Sequence, residues 1–182
     1  AGASVSSGNT ISFSLGPRVT RKFVSTSSQS LAVGYATVTS SAVINGTAIF
    51  SEFAPSGALL GEAGVPAGTS QTRQSIFVDT LGGFQTGVAY ANPGNTAASI
   101  TLQLLSTDGT AVGAPLTVTL PAGQHNPAFV SQLFPAAPAF AGTMQIISNT
   151  PLAAVALRFD PSFQHFTTLP PVRSEEHTSE LQ

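Results

Sequence analysis

Short runs in which apolar and polar residues alternate are the feature that most limits the folds open to this chain. Alternation with a period of two places every second side chain on the same face of an extended strand, whereas an amphipathic helix needs apolar residues three or four positions apart. Helical spacing is hard to find in this sequence. The alternating runs are Ile11 to Leu15, Ile100 to Leu104 and Leu116 to Leu120. The sequence therefore predicts an all-β fold.

Turn signals separate these runs and favour antiparallel strands. Asn92-Pro93-Gly94 combines a proline, which fixes φ, with a glycine, which tolerates positive φ. Asp108-Gly109 is typical of a tight hairpin. Strands spaced about every ten residues and joined by such turns are typical of an antiparallel sandwich.

The segment from residue 142 to residue 159 gives a specific prediction about the core. We interpret it as two strands around a turn at Asn149-Thr150-Pro151. Alternation along each strand then places four apolar side chains on the inner face: Met144, Ile146, Val155 and Leu157.

An internal repeat organises most of the chain. ISFSLGPRVTRKFVS from Ile11 returns as LTVTLPAGQHNPAFVS from Leu116. GYATVTSSAVINGTAI from Gly34 aligns without a gap with GTMQIISNTPLAAVAL from Gly142, and GEAGVPA corresponds loosely to FTTLPPV. Residues 11 to 67 and 116 to 172 are therefore interpreted as two copies of one half-domain. The segment between them occurs once.

Connection chemistry predicts the domain boundaries. Val65 to Ser70 is typical of a linker, whereas Ser106 to Thr110 is typical of a tight hairpin that joins the central segment to the second copy. We therefore expect residues 68 to 172 to form a complete sandwich repeat and residues 1 to 67 to be the C-terminal half of a preceding, N-terminally truncated repeat. The reverse phasing, in which the central segment completes the first copy, stays open.

The last ten residues, RSEEHTSELQ, differ from the rest of the chain. They hold three of its eight acidic residues, although only 8% of the chain is charged. All ten match the translation of a common short-read sequencing adapter. We expect residues 173 to 182 to be an artefactual, disordered tail, and the start at Ala1 leads us to expect a fragment of a longer metagenomic sequence.

Charge and cysteine content exclude several function classes. Without the tail, five basic and five acidic residues balance, which leaves no basic footprint for nucleic acid and no cluster for anionic lipid. The chain has no cysteine, which excludes thiol catalysis, disulfides and thiolate metal sites. No apolar run approaches the roughly 20 residues of a membrane helix. We therefore expect neither a nucleic-acid partner nor a membrane span.

Several runs carry a resemblance to a known type of repeat. VGYATVTSSAVINGTAIF, FVDTLGGFQTGVAYANPGNTAASITLQL and PLAAVALRFD resemble Ala/Gly/Thr-rich, Ig-like β-sandwich repeats of large secreted or surface proteins of soil bacteria, an uncharacterised family. The resemblance covers nearly all of residues 11 to 172. It implies an extracellular or cell-surface structural or adhesive repeat whose partners are neighbouring repeats and surface glycans or proteins. It brings no catalytic residues.

Direct inspection finds no catalytic pattern. The chain has no nucleophile elbow, zinc-protease motif or phosphate loop. His125 and His165 are interpreted as solvated loop residues, and Glu62 with Asp160 as an unsupported carboxylate pair. We therefore predict a non-enzyme without cofactor or metal.

Aromatic residues leave one candidate ligand site. Sugar platforms usually need flat exposed rings with a polar edge, and this chain has no tryptophan and two tyrosines, Tyr35 and Tyr90. The twelve phenylalanines are interpreted as core. The leading hypothesis is a non-catalytic spacer, stalk or adhesion module. The alternative is an accessory carbohydrate-binding module of a secreted hydrolase, with Tyr35 and Tyr90 as ligand-binding residues.

Overall fold

A computed structural model describes the backbone of residues 3–5 and residues 10–25 and 33–173. The chain divides into two compact units, residues 1–33 and 34–182. The predicted artefactual tail lies outside the described residues, apart from Arg173, which pairs with Gln74 in the last strand.

The first unit contains two short parallel strands, β1 (Ala3–Val5) and β2 (Phe23–Ser25). The rings of Phe13 and Phe23 lie 5.1 Å apart. The strand predicted from Ile11 to Leu15 is wrong, because this run is irregular and its apolar side chains are exposed. Within the described residues no strand pairs with this run. An alternating pattern alone does not supply the backbone hydrogen bonds that a strand needs.

The second unit is built from antiparallel strands, which confirms the predicted all-β fold. In the described residues, its helical content is a 3-10 turn at Leu81–Gly83 and a single α-helical turn, α1, at Val130–Leu133. None of the helices described is long and apolar enough to cross a membrane. The strands are β3 (Thr47–Phe53), β4 (Leu59–Pro66), β5 (Gln71–Asp79), β6 (Gln85–Ala91), β7 (Ala98–Ser106), β8 (Leu116–Leu120), β9 (His125–Phe129), β10 (Ala141–Phe159), β11 (Phe166–Leu169) and β12 (Val172–Arg173).

Strands β5 to β12 form a sandwich-like pair of sheets that share β10. The first sheet has the order β12-β5-β10-β7-β8, and the second has the order β11-β10-β6-β9. One apolar core lies on their inner faces. Its largest fully buried apolar members are Ile76, Val78, Val88, Tyr90, Ile100, Leu102, Leu104, Val130, Met144, Ile146 and Leu152.

The sequence placed two of these strands well. Ile100 to Leu104 lies within β7, and Leu116 to Leu120 coincides with β8. The Asp108-Gly109 hairpin is confirmed: Gly109 has a φ of 83°, and its backbone N–H donates to the Ser106 carbonyl over 3.0 Å. All strands of the two shared sheets fall within residues 71 to 173, but the domain boundaries and the number of repeats stay predictions.

The turn predicted at Asn149 to Pro151 is wrong, because β10 continues through it as one strand of 19 residues. Its pairing with β5 is irregular between Ile147 and Leu152, so the strand bulges there instead of reversing. In the bulge the Leu152 carbonyl accepts a hydrogen bond of 3.2 Å from Nε2 of buried Gln74. That bond gives a backbone carbonyl at the end of the irregular stretch a buried side-chain donor.

On both sides of the bulge, the even-numbered side chains of β10 face the core. Two of the four predicted core positions are therefore right and two are wrong. Met144 and Ile146 are buried as predicted. Beyond the bulge Leu152 and Ala156 are buried in the core, so the predicted inward positions Val155 and Leu157 are wrong. Val155 and Leu157 lie on the outer face of the second sheet. The prediction assumed that the chain reverses at a turn, whereas in the continuous strand β10 the odd-numbered residues stay on the outer face.

Two leucines of β10 test this face assignment. Leu152→Ala should lower the free energy of unfolding by about 2–5 kcal/mol, because it opens a cavity in the core. Leu157→Ala makes the same chemical change on the outer face, where the side chain is half-buried, and should cost clearly less. Urea unfolding followed by circular dichroism measures both. Equal losses would contradict the assignment.

Candidate functional site

Tyr90, one of the two predicted ligand-binding residues, lies inside the sandwich. Its side chain is 1% exposed, and its hydroxyl accepts a hydrogen bond of 2.8 Å from Nδ2 of Asn126, its partner across β6 and β9. Burial raises the pKa of Tyr90 above its usual value, and the Asn126 hydrogen bond offsets part of that rise. The ring therefore presents no face to a sugar.

Tyr35, the other predicted residue, lies on the surface and is 41% exposed. Its ring stands edge-on to His125, with the ring centroids 6.1 Å apart. His125 is half-buried on β9 opposite Ala91, so its interpretation as a solvated loop residue is wrong. Because Tyr90 lies one position from Ala91, Tyr35 and Tyr90 lie on opposite faces of the second sheet. The structure does not bring them into one site.

A cluster of four phenylalanine rings covers part of the outer face of the second sheet. Phe159 lies 5.7 Å by ring centroid from each of Phe129, Phe163 and Phe166. A Cβ on Gly87 would lie 3.5 Å from ring carbons of Phe129 and Phe159, so the glycine leaves room for both rings. The interpretation as core residues is wrong for Phe129 and Phe159, which lie on the outer face of the second sheet, and for Phe13 and Phe50, which are exposed.

The turn between β10 and β11 holds the most exposed ring of this cluster. Phe163 is 48% exposed and has a φ of 58°, a conformation that is strained for a bulky side chain. Asp160 holds the turn: its Oδ1 accepts from the backbone N–H of Gln164 over 3.0 Å, and its Oδ2 accepts from the Ser162 hydroxyl over 2.6 Å. The strained conformation is thus fixed by local hydrogen bonds.

The remaining candidates for acid and base chemistry are engaged separately. His165 is exposed in the same turn, as expected, with Nδ1 3.3 Å from Oδ2 of Asp160. Glu62 accepts a hydrogen bond of 3.0 Å from the Ser51 hydroxyl across the hairpin of β3 and β4. Each carboxylate therefore has its own local partner. Within the described residues no group of three or more histidine or acidic side chains could hold a metal ion.

Asp79 and Arg158 form an ion pair that joins the two sheets. Nε and one terminal nitrogen of Arg158 donate to Oδ2 of Asp79 over 2.8 and 2.6 Å. The guanidinium carbon lies 3.6 Å from the centroid of the Phe84 ring, which adds a cation–π contact. The Thr86 hydroxyl donates to the backbone carbonyl of Asp79. These contacts fix the connection from β5 to β6, and the pair serves the fold.

Asn92 is the polar residue that sequence reasoning missed. It is fully buried, and its Nδ2 lies 2.7, 3.1 and 3.3 Å from the carbonyls of Thr96, Leu120 and Pro121, while its Oδ1 accepts from the N–H of Gly94. It thereby ties the loop after β6 to the loop after β8. Gly94 does not adopt the positive φ that the turn pattern allowed. An asparagine before proline was the available signal.

A shallow cleft of about 190 Å³ lies beside α1. Phe134, Pro138 and Phe140 supply much of its lining. Its polar side chains include Gln85 and Ser131, which hydrogen-bond to each other over 3.2 Å. This pairing leaves a mostly apolar depression without a charged lining residue.

Comparisons with known proteins do not assign a family. No family model matches the chain, and no curated protein matches it. One solved structure that resembles it is the Anabaena sensory rhodopsin transducer, at a TM-score of 0.40 and 21% sequence identity, over 48% of this chain and 95% of the transducer. A likeness of this degree supports no statement about function.

Removing the Asn92 side chain should destabilise the protein strongly. Asn92→Ala removes the Nδ2 donor that the carbonyls of Thr96, Leu120 and Pro121 share, and a buried carbonyl left unsatisfied, such as that of Leu120, costs about 1–3 kcal/mol. We expect the free energy of unfolding to fall by at least that cost, which a lower urea midpoint at an unchanged m-value would show. Asn149→Ala is the matched control, because its side chain is exposed and accepts a single hydrogen bond from Ser99. Equal effects of the two changes would contradict the role assigned to Asn92.

Two turn aspartates should make stability fall in acid. The Ser106 hydroxyl first, and then Thr110, lower the pKa of Asp108 from 3.8 to about 2, and the Ser162 hydroxyl chiefly lowers that of Asp160 to about 2. Because these folded-state values lie below the unfolded ones, the stabilisation is present above about pH 4 and is lost as the pH falls towards about 2. Urea unfolding across this range should show the loss.

The double variant Asp108→Asn, Asp160→Asn keeps an acceptor at both positions but removes the titration. Its free energy of unfolding should depend less on pH between about 4 and 2 than that of the wild type. Identical slopes for the two proteins would show that these turns do not contribute to acid sensitivity.

Proposed function

We propose that this chain is a non-catalytic β-sandwich module of an exported protein, with a structural and adhesive role at the cell surface. The observation behind the proposal is that several charged side chains form hydrogen bonds and ion pairs that hold the fold together. Asp79 pairs with Arg158, while Asp108 and Asp160 close turns. Groups held in such local bonds act as supports rather than as poised acids, bases or ligands.

The path of the chain favours an attached, laterally placed module over an in-line spacer. β5 is the first strand of the sandwich, and β12, its last strand, pairs with it antiparallel, with Val172 opposite Ser75. The chain therefore enters and leaves at the same end and edge of the sandwich. In an in-line stalk, the chain enters each module at one end and leaves it at the opposite end. Among spacer, stalk and adhesion module, this geometry supports the last.

The proposed location outside the cell rests on the resemblance to exported repeats. The absence of cysteine is compatible with it, because the sandwich is held by a packed core and by its ladder hydrogen bonds. Neighbouring repeats and surface glycans or proteins are the partners proposed with this role.

The carbohydrate-binding alternative is favoured by one observation, the exposed ring of Tyr35. This ring stacks edge-on against His125 and keeps 41% of its surface in solvent, as a sugar platform would. Tyr90 no longer contributes to this alternative, because it is buried. A single tyrosine offers a smaller platform than the predicted pair.

A glycan array separates the two functions. The adhesion proposal expects no glycan signal that depends on Tyr35. Reproducible binding by the full chain that is lost in Tyr35→Ala would overturn the proposal in favour of carbohydrate binding. Tyr90→Phe is the control, because it keeps the buried ring and removes only the hydroxyl that accepts from Asn126. Its binding should equal that of the wild type in either case.

A further inference from the structure

In the part of the chain that the structure describes, one edge of strand β3 is unpaired. Within the described residues β3 pairs with β4 alone, in a separate two-stranded sheet. Every residue of β3 is exposed, including Ile49, Phe50 and Phe53 at 62%, 53% and 60%. Only one edge of an antiparallel strand faces β4, so about half of the backbone groups of β3 point away from that partner. Such an edge is a template for another strand.

The internal repeat identifies the position that β3 occupies in a complete sandwich. The gapless alignment of Gly34 with Gly142 makes Thr47 equivalent to Val155 and Ile49 equivalent to Leu157. β3 therefore corresponds to the C-terminal half of β10. Both segments continue into an antiparallel hairpin, β3 with β4 and β10 with β11. The two copies thus share this hairpin in structure as well as in sequence.

The edge that β3 leaves free is covered in the second copy. There β6 pairs with the C-terminal half of β10, from Ala153 opposite Ala91 to Phe159 opposite Gln85. β6 is rich in small residues, and Gly87 faces Leu157. The large side chains of β10 and β9 can therefore lie over it.

We propose that the free edge of β3 accepts a β6-type strand from another repeat of the same kind. The register follows from the equivalence: Thr47 opposite an alanine equivalent to Ala89, Ile49 opposite a glycine equivalent to Gly87, and Ser51 opposite a residue equivalent to Gln85. A glycine at that position adds no side chain beside the exposed Ile49. A second copy of this chain does not donate its own β6, because both edges of that strand are paired. The inference does not depend on the proposed adhesive function.

A peptide with the sequence of Phe84 to Asn92, added to the isotope-labelled full chain, tests the pairing. Amide resonances of Thr47 to Ser51 should shift with saturation, and their hydrogen exchange should slow. An unmodified peptide that leaves the β3 amides unchanged overturns the proposal. β3 amides already protected in a dimer of the chain, before peptide is added, also overturn it in favour of a second copy.

Two N-methylated peptides provide matched controls with unchanged side chains. Each removes three backbone donors from one edge of the peptide strand, so the peptide that loses the edge facing β3 should bind about tenfold more weakly or worse. The other should bind like the unmodified peptide. Equal binding by both, or loss by both, overturns strand pairing. The two methylated sets are Thr86, Val88 and Tyr90, and Gly87, Ala89 and Ala91.

Discussion

Both sheets of the sandwich depend on β10, the one strand that belongs to both. Its N-terminal half is hydrogen-bonded between β5 and β7, and its C-terminal half between β6 and β11. Such a strand can pass from one sheet to the other only if its direction changes where the sheets diverge, and the bulge before Leu152 provides that change. Gln74 supports the bulge, because its buried side-chain amide donates a hydrogen bond to the Leu152 carbonyl. Loss of that bond would remove a buried donor at the junction of the two sheets.

Partner strands, rather than local sequence, decide whether the repeated pattern becomes a strand. The residues from Gly142 onward extend as β10, but the aligned residues from Gly34 to Gly46 are irregular and exposed. β10 has neighbouring strands on both edges, whereas no described strand pairs with residues 34–46. Strand propensity is context-dependent for this reason. Within the described residues, a hairpin that carries its own partner strand follows both aligned segments.

The same physics explains how much could be predicted from the sequence. Alternation located β7, β8 and the inward side of Met144 and Ile146, because these residues lie in regular ladders. It failed beyond Pro151, since proline is compatible with either a turn or a bulge, and the choice depends on β5 and β6 rather than on nearby residues. The candidate site was harder, because the exposure of a ring depends on which face of which sheet it occupies. That information is absent from a local pattern, so Tyr90 was placed outside and Phe129 and Phe159 inside.

Several charged and amide side chains of this chain stiffen the connections between its strands. Asp79 and Arg158 fix the connection after β5, Asn92 fixes the one after β6, and Asp160 fixes the turn after β10. Loops held in this way lose the adaptability on which loop-based recognition depends. Two other surfaces still expose groups that could bind: the backbone of β3 and the apolar rings around Phe163. The proposed strand addition would use the first of these groups, whereas recognition through charged loops would have to break bonds that support the fold.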